Sequence, residues 1–330
     1  MKYIVGIDLG GTNIKAALTN QKFEIISRAQ VRTPFQQPPE ATFERIIEVA
    51  GQLLAKAEVN KTDLMGIGIG IPGLTDCRTN IAHEVKFLKW TNIDVGAPIE
   101  KHFGVPVFAE NDGAVNAMGE LYFGAGRGCK NVILLTLGTG LGSGVIIDGK
   151  LLRGEDYVAA EIGHMVIESG GSLCACGKRG CFESCCSGNA MIRYARQFVL
   201  EYPESILLKY TNSDILKIDG KMIDMGYDSG DQACIKTIDL FAQKLSVGLV
   251  NLIDIFNPGI IIISGGVSRS GERILSQVRE LVRESLMHPL QECKIVCGEL
   301  YTDAGVLGAC AVVAESFDKK RPKKESVNVG

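Results

Sequence analysis

Apolar runs bounded by glycine-rich turns recur along the chain, and their spacing predicts alternating strands and helices. Residues 3–19 are predicted to form an apolar strand, a Gly/Thr turn and a second strand, with a third strand at 24–33. Residues 131–152 repeat the plan of strand, Gly/Thr turn and strand. This self-similarity indicates a duplicated unit in which each half offers one glycine turn to the same phosphate chain.

The remaining pattern predicts an α/β chain. Short apolar runs predict buried strands, and apolar residues at helical spacing predict helices. The predicted strands are 64–71, 105–112, 260–267 and 295–296, and the predicted helices are 42–57, 113–123, 187–200, 231–256, 271–284 and 304–317. Residues 201–230 are polar and irregular by pattern, so we expect only short helices there.

The turn after the first strand has the composition of a phosphate-binding loop. Gly10 and Gly11 let backbone amides approach a phosphate closely, and the hydroxyl of Thr12 lies beside them. Asp8 ends the strand and is placed to hold Mg²⁺ or its water shell, because hard cations prefer carboxylate oxygen. A plain β-hairpin is the alternative interpretation of this stretch.

Two further glycine turns follow later strands. Gly138, Thr139 and Gly140 form the corresponding turn of the second unit. Gly265 and Gly266 follow another apolar strand and precede a helix. The chain has no Gly-x-x-x-x-Gly-Lys-Ser/Thr motif, so a P-loop nucleotide site is excluded.

One short stretch contains four potential metal ligands, His164, Cys174, Cys176 and Cys181. Imidazole nitrogen and thiolate sulfur are the ligands that zinc prefers, and four of them complete a tetrahedral site. Four glycines within the stretch permit the tight loop that such a site needs. With all four positions taken by protein, the ion would be structural. Unrelated buried or surface cysteines are the alternative.

Polar residues near this stretch and after two strands are candidates for ligand binding. Glu161 and Glu183 lie just outside the two ends of the metal-binding stretch, so a bound ion would bring both toward one small pocket. Gly73 closes a Pro-Gly turn at the carboxyl end of a strand, where open α/β sheets bind ligands. Asn111 and Asp112 end another strand, and an acidic residue at a helix start is usually a cap.

Composition and charge narrow the class of protein. The chain has 330 residues, long enough for two domains, and its 35 Lys and Arg against 38 Asp and Glu leave a net charge of −3. That balance offers no general attraction for nucleic acid or an anionic membrane. No apolar run is long enough to span a bilayer, and the first strand begins without a signal peptide. Eleven cysteines, an odd number, favour reduced thiols, so we expect a soluble cytoplasmic protein.

The motif Glu-x-Gly-His followed by Cys-x-Cys-Gly-x-x-Gly-Cys-x-Glu resembles the ROK family of sugar kinases and repressors. The resemblance covers roughly residues 3–315, with five motifs in the expected order. It implies a two-domain α/β fold of the actin-like, ribonuclease H-like ATPase group, with the nucleotide in a central cleft. The implied division is a small domain of residues 1–117 completed by a helix at about 304–317, a large domain of 118–303 with a zinc loop at 164–181, and a basic flexible tail at 318–330.

The resemblance also implies an activity, the transfer of the γ-phosphate of ATP to the 6-hydroxyl of a hexose. Asp112 would be the general base that accepts the proton of the sugar hydroxyl. The implied sugar-binding residues are Gly73, Asn111, Asp112, Glu161, His164 and Glu183. The implied cofactors are ATP held by the three glycine turns, Mg²⁺ near Asp8 and structural Zn²⁺, and a homodimer is expected. His164 would bind zinc through one ring nitrogen and the sugar through the other.

Several alternatives stay open at this point. A ROK repressor would carry an amino-terminal helix-turn-helix domain, for which a strand beginning at Tyr3 leaves no room, and a sugar-binding protein without activity is a third option. Glucose is the first choice of sugar as the commonest activity for the pattern, with N-acetylglucosamine or N-acetylmannosamine as the alternative. Ala159 and Ala160 replace the His-Pro of fructokinase-like members, which counts against fructose. Cys185 and Cys186 are extra to the expected zinc ligands and have no assigned role.

Overall fold

The computed structural model describes residues 2–288 and 291–318, and in them three β-sheets pack with ten α-helices. The strands are β1 Tyr3–Leu9, β2 Asn13–Asn20, β3 Ile25–Arg32, β4 Leu64–Ile71, β5 Leu74–Asp76, β6 Ile81–Val85, β7 Trp90–Asp94, β8 Val107–Asn111, β9 Val132–Leu137, β10 Leu141–Ile147, β11 Lys150–Leu151, β12 Ile260–Ser264 and β13 Lys294–Cys297. The helices are α1 Pro39–Lys56, α2 Gly96–Phe103, α3 Asp112–Phe123, α4 Phe182–Cys186, α5 Gly188–Glu201, α6 Ile206–Tyr210, α7 Gly220–Asp228, α8 Gln232–Phe256, α9 Glu272–Ser285 and α10 Ala304–Asp318. The predicted basic tail lies, from residue 319 onward, outside the described residues.

The first sheet has the strand order β3-β2-β1-β4-β8. Strands β1, β2 and β3 pair antiparallel, whereas β1, β4 and β8 pair parallel. Alternate residues of β1 face opposite sides, so that Val5 packs in the core beneath α1 and Ile4 packs beneath α10. A Cβ at Gly6 or Gly68 would collide with a backbone carbonyl of α10. The glycines of these strands therefore let α10 lie directly against the sheet.

The second sheet repeats this arrangement. Its order is β11-β10-β9-β12-β13, with β9 and β10 antiparallel and β12 parallel to both β9 and β13. Helices α8 and α9 pack over one face of this sheet in the largest apolar core, and α3 packs over the other. The duplicated hairpin that the sequence predicts is thus present in both sheets.

The third sheet was missed by the sequence analysis. Strands β5, β6 and β7 pair antiparallel and pack beside the first sheet, and α2 follows them. The three strands are only three to five residues long, and charged residues interrupt their apolar positions, so no periodic signal marks them. Elsewhere the predicted elements occur with boundaries shifted by a few residues. The short helices expected within 201–230 are α6 and α7.

Helices α3 and α10 cross between the two larger sheets at very close range. A Cβ at Gly119 would collide with the carbonyl of Ala304, and a Cβ at Gly308 with that of Val115. Helix α3 also packs on β9 and β10, while α10 packs on β1 and β4. This helix pair therefore joins the two larger sheets. Among the described residues, no helix is long and apolar enough to cross a bilayer.

Candidate active site

Three parallel strands of the first sheet bring polar residues to one edge. Asp8 lies opposite Gly70 in the register of β1 and β4, and Asn111 lies opposite the last residue of β4. Because the carboxyl ends of parallel strands share one edge, Asp8, Asn111 and the following Asp112 are brought together. Gly73 lies in the turn after β4, where its carbonyl accepts a hydrogen bond from Nδ2 of Asn111 at 3.0 Å.

The helix cap at this edge is Asn111 and not Asp112. The Oδ1 atom of Asn111 accepts a hydrogen bond from the amide of Ala114 at 3.1 Å, and Asp112 is the first residue of α3. The sequence analysis noted that an acidic residue at a helix start is usually a cap; here the cap is the preceding Asn111, and Asp112 stays free of that role. The Oδ1 atom of Asp112 accepts a hydrogen bond from the amide of Gly113 at 2.8 Å.

The carboxylate of Asp112 has the electrostatics of a general base. Burial, the nearby charge of Asp8 and, to a smaller extent, that of Glu161 raise the pKa of Asp112 from 3.8 to about 6, against the opposing hydrogen bond from Gly113. A base with a pKa just below the working pH is deprotonated yet basic enough to accept a proton. Burial also raises the pKa of Asp8, which Lys15 partly offsets.

The start of β10 is where the other site residues converge. The 3₁₀ turn Ile162–His164 lies against it, since a Cβ at Gly163 would collide with the carbonyl of Leu141. The amide of Leu141 donates to Oε2 of Glu183 at 3.0 Å. The first turn of α3 packs on Ser143 in the same strand. Strand β10 therefore holds Asp112, the Glu161–His164 segment and Glu183 around one cleft.

Glu161 faces this cleft from a strained segment. Burial raises the pKa of Glu161, and the negative charge of Glu183 raises it further. The nearby His164 and Lys86 act in the opposite direction and lower it. The preceding Ala160 has a φ of +68°, a conformation that favours glycine. Oγ of Ser143 donates to the carbonyl of Ala160 at 2.5 Å and holds it in place. The sequence analysis missed Lys86 and Ser143, which carry no motif.

The four predicted metal ligands form one cluster. One ligand atom from each of His164, Cys174, Cys176 and Cys181 lies within 4.8 Å of the others. Nδ1 of His164 lies 3.6 Å from Sγ of Cys174, and the Sγ atoms of Cys176 and Cys181 are also 3.6 Å apart. Ligands of a tetrahedral zinc ion, at about 2.3 Å for sulfur and about 2.0 Å for nitrogen, stand about 3.5–3.8 Å apart. Two separations match these values and the others stay within 4.8 Å, so the cluster fits Zn²⁺ after a small approach of the ligands.

The two extra cysteines lie outside this cluster. Cys185 and Cys186 are fully buried in the core of the second sheet. Sγ of Cys185 lies 3.6 Å from Oε2 of Glu168, which also pairs with Lys244. Burial and the charge of Glu168 raise the pKa of the Cys185 thiol. Both side chains are packed in the core and neither belongs to the ligand cluster, so these residues serve the core.

The glycine turns lie at the strand ends that the sequence predicts. The amide of Gly10 donates to the carbonyl of Asn13 at 3.0 Å, and Thr12 accepts a hydrogen bond from the amide of Thr33, so the first turn is tied to the end of β3. Gly138, Thr139 and Gly140 connect β9 to β10.

The third turn lies beside the second. Gly265 has a φ of +88° and a Cβ there would collide with the backbone of Leu137, so Gly265 and Gly266 pack against the end of β9. The amide of Gly188, at the start of α5, donates to the carbonyl of Gly138 at 2.7 Å. The second and third turns and the start of α5 thus form one polar rim of the second sheet.

These features define a two-domain α/β sugar kinase of the actin-like fold, as comparison with solved structures shows. The crystal structure of a ROK family glucokinase from Streptomyces griseus in complex with glucose and AMPPNP matches this chain with a TM-score of 0.82. The two are 33% identical, over 95% of this chain and 99% of that one.

Sequence comparison assigns the family. The ROK family model matches residues 4–316, and the chain belongs to the ROK family. A glucokinase of Thermotoga maritima is 35% identical over 94% of this chain and 97% of its own length. A xylose repressor of Caldicellulosiruptor bescii is 31% identical over 94% of this chain and 77% of its own length. The family resemblance and the fold class predicted from the sequence are confirmed.

Proposed function

We propose that this protein transfers the γ-phosphate of ATP to the 6-hydroxyl of a hexose, with Asp112 as the general base. One observation carries the proposal. A carboxylate with a pKa of about 6 stands at the meeting of the two large sheets, not engaged in capping its helix. Phosphoryl transfer needs positioning and charge neutralisation more than covalent chemistry. A base that takes the proton of the attacking hydroxyl is the group that the reaction requires of the protein.

The nucleotide would lie between the glycine turns. The amides of Gly10 and Gly138 already donate to the carbonyls of Asn13 and Gly140, which fixes the shape of the two turns. The amide of Gly11 and the hydroxyls of Thr12 and Thr139 would contact the phosphates. Gly140 would complete the second turn, and Gly265 and Gly266 would border the adenosine. Bound Mg²⁺ supplies neutralisation of phosphate charge, and Asp8 would hold it or its water shell. The proximity of Asp8 and Asp112 supports this placement, since a cation there offsets two neighbouring carboxylates.

The sugar would lie between the two strand edges. Gly73 and Asn111 would contact it from the first sheet, and Glu161, His164 and Glu183 from the second. Asn111 already uses one amide hydrogen on Gly73 and its oxygen on the helix, so one amide hydrogen is left for the sugar. The arrangement of acceptors around a small cleft supports a polyhydroxylated ligand.

Zinc would have a structural role and would take no part in the reaction. The fit of His164, Cys174, Cys176 and Cys181 to a tetrahedral ion supports a closed site with no position for water. Zinc on Nδ1 of His164 leaves Nε2 as a hydrogen-bond donor, so the ion would set the tautomer that the sugar meets. Removing zinc should therefore impair sugar binding without any step at the metal.

Glucose is the proposed sugar, supported by the glucokinases among the relatives. The test is a coupled ADP-release assay with ATP and Mg²⁺ on glucose, N-acetylglucosamine, N-acetylmannosamine, mannose, allose and fructose. We expect the highest kcat/KM on glucose. A higher kcat/KM on an acetamido sugar would leave the proposed mechanism unchanged but would show that glucose is not the preferred substrate. If none of these sugars stimulates ADP release, the kinase function is refuted.

A sugar-responsive repressor is the second candidate, favoured by the similarity to a xylose repressor. The two functions differ in the assay above, since a repressor binds its sugar without releasing ADP. A titration of the panel sugars by calorimetry would then show binding without turnover.

We also propose the assembly and the division into domains. Two of the three apolar cores lie each within one large sheet and its helices, which supports a domain of residues 1–117 with 304–317 and another of 118–303; the third core, around α3 and α10, joins the two. A homodimer in the cytoplasm is proposed from the family alone. Light scattering coupled to gel filtration measures the oligomeric state directly.

A further inference from the structure

The turn that joins β6 to β7 is held in place by the core of the first sheet. It is the 3₁₀ turn Lys86–Leu88, and the carbonyl of Lys86 accepts a hydrogen bond from the amide of Lys89 at 3.2 Å. Val85 before the turn and Leu88 at its end are both buried in that core. The backbone of Lys86 therefore has a fixed position between two buried anchors.

The two neighbours of Lys86 in the chain approach different parts of the proposed site. A Cβ at Gly73, on the sugar side, would lie 3.5 Å from Cα of Val85. A Cβ at Gly11, in the first glycine turn, would lie 3.9 Å from two ring carbons of Phe87. Lys86 stands between these two neighbours. It is thereby placed between the turn proposed to hold the phosphates and the turn proposed to hold the sugar.

The side chain of Lys86 is exposed, and its ammonium group is available to a ligand. Within the described part of the chain this group makes no hydrogen bond and no ion pair. Its charge nevertheless lowers the pKa of Glu161, which places the ammonium group within electrostatic reach of the cleft. A second lysine, Lys15, differs in this respect, because it lies opposite Asp8 in the register of β1 and β2 and lowers the pKa of Asp8.

The proposed reaction concentrates negative charge at this place. Asp8, Asp112 and Glu161 are carboxylates of the same cleft, and ATP adds its phosphate oxygens. In phosphoryl transfer the moving group carries its charge on three oxygens, and catalysis consists mainly of positioning and of neutralising that charge. A cationic donor directed at those oxygens stabilises the transition state more than the ground state.

We propose that Lys86 is a further catalytic residue, whose ammonium group contacts the phosphoryl group as it passes from ATP to the sugar. The inference rests on the proposed kinase function. In that step the 6-oxygen of the hexose forms a bond to the γ-phosphorus, and the bond from this phosphorus to the bridging oxygen of ADP breaks. The hydroxyl proton goes to Asp112. Lys86 keeps its own proton throughout and hydrogen-bonds the non-bridging oxygens of the phosphoryl group.

The test replaces Lys86 by methionine, which removes the charge, and by arginine, which keeps it. Lys22→Met is the matched control, because Lys22 is an exposed lysine in the turn after β2, next to the end of β1 that lies opposite to Asp8. All three variants and the wild type are assayed for kcat on the preferred hexose of the panel. Calorimetry measures the Kd of the hexose, and product inhibition measures the Ki of its 6-phosphate. Thermal unfolding shows that each variant is folded.

We expect Lys86→Met to lower kcat about 10- to 100-fold, less than the loss of an enclosed oxyanion donor because Lys86 is exposed to solvent. The Kd of the hexose should stay within about threefold of wild type. The Ki of the 6-phosphate should rise about 10-fold, because this product carries the transferred group that Lys86 contacts. Lys86→Arg should recover part of both losses, and Lys22→Met should match wild type.

Two results would overturn the inference while the kinase function stands. In one, Lys86→Met has the kcat of Lys22→Met. In the other, Lys86→Met binds the hexose and its 6-phosphate more weakly by the same factor, which indicates a general distortion of the cleft. A wild-type protein that phosphorylates no sugar refutes the kinase function and this inference with it.

Discussion

Replacement of Asp112 by asparagine should make the protein more stable and nearly inactive at once. The substitution keeps the size of the side chain and the Oδ1 atom that accepts from Gly113, and it removes the charge. Loss of a general base lowers kcat about 10²–10⁴-fold. If Asp112 had only a structural role, its replacement would instead lower the free energy of unfolding.

The size of the gain follows from the pKa of Asp112. Its rise from 3.8 to about 6 is about two units, at about 1.4 kcal/mol each, which bounds the cost of the buried charge at about 3 kcal/mol. Partial solvent access and the favourable position of an anion at the start of α3 offset about 1 kcal/mol or more. We therefore expect the free energy of unfolding of Asp112→Asn to exceed that of wild type by about 1–2 kcal/mol at pH 7.5.

The pH dependence of the free energy of unfolding tests the same expectation, that Asp112→Asn is more stable than wild type. The folded protein binds the Asp112 proton more tightly than the unfolded chain, so the charged form costs stability above pH 6. This cost disappears as the pH falls through about 6 toward 3.8. The stability difference between Asp112→Asn and wild type should accordingly be largest above pH 6 and should disappear as the pH falls.

Urea unfolding at several pH values, together with the coupled kinase assay, measures both effects. Glu40→Gln is the control, because Glu40 is an exposed acid in the first turn of α1. It should lower stability slightly and leave kcat unchanged. Near-wild-type turnover of Asp112→Asn would refute its role as base. A variant less stable than wild type at pH 7.5 would refute the reasoning from buried charge.

Three further predictions concern the surroundings of the site. Asp8→Asn should lower the pH midpoint of the acid limb of kcat/KM relative to wild type, because one neighbouring negative charge is lost; an unmoved midpoint would contradict this coupling. Cys176→Ser should lose bound zinc by elemental analysis, melt at a lower temperature and bind sugar more weakly, whereas Cys129→Ser, outside the cluster, should keep its zinc. Ala160→Gly should raise the melting temperature by about 1–3 °C by relieving the positive φ, whereas Ala159→Gly should lower it; equal shifts would contradict the assignment of strain.

Local patterns in the chain were enough to predict the elements that face this site. The repeated hairpins, the strand ends and the helix α8 follow from apolar periodicity, which needs only neighbouring residues. The metal cluster was equally accessible, because His164 and the three cysteines lie within one short stretch and their chemistry is shared by few other residue sets. The Glu-x-Gly-His motif then pointed to the family that the comparisons confirm.

Only the tertiary structure decided which residues meet across long separations in the chain. The raised pKa of Asp112 arises from burial and from Asp8, more than a hundred positions earlier, and no local pattern predicts that proximity. Asn111 caps α3 because the backbone geometry after β8 places its side chain, and not that of Asp112, beside the free amide of Ala114. The sheet of β5, β6 and β7 carries no periodic signal, and its place beside β8 is set only in the folded chain. The sequence determines such contacts through folding, but they depend on packing between distant segments, which periodicity and motifs do not record.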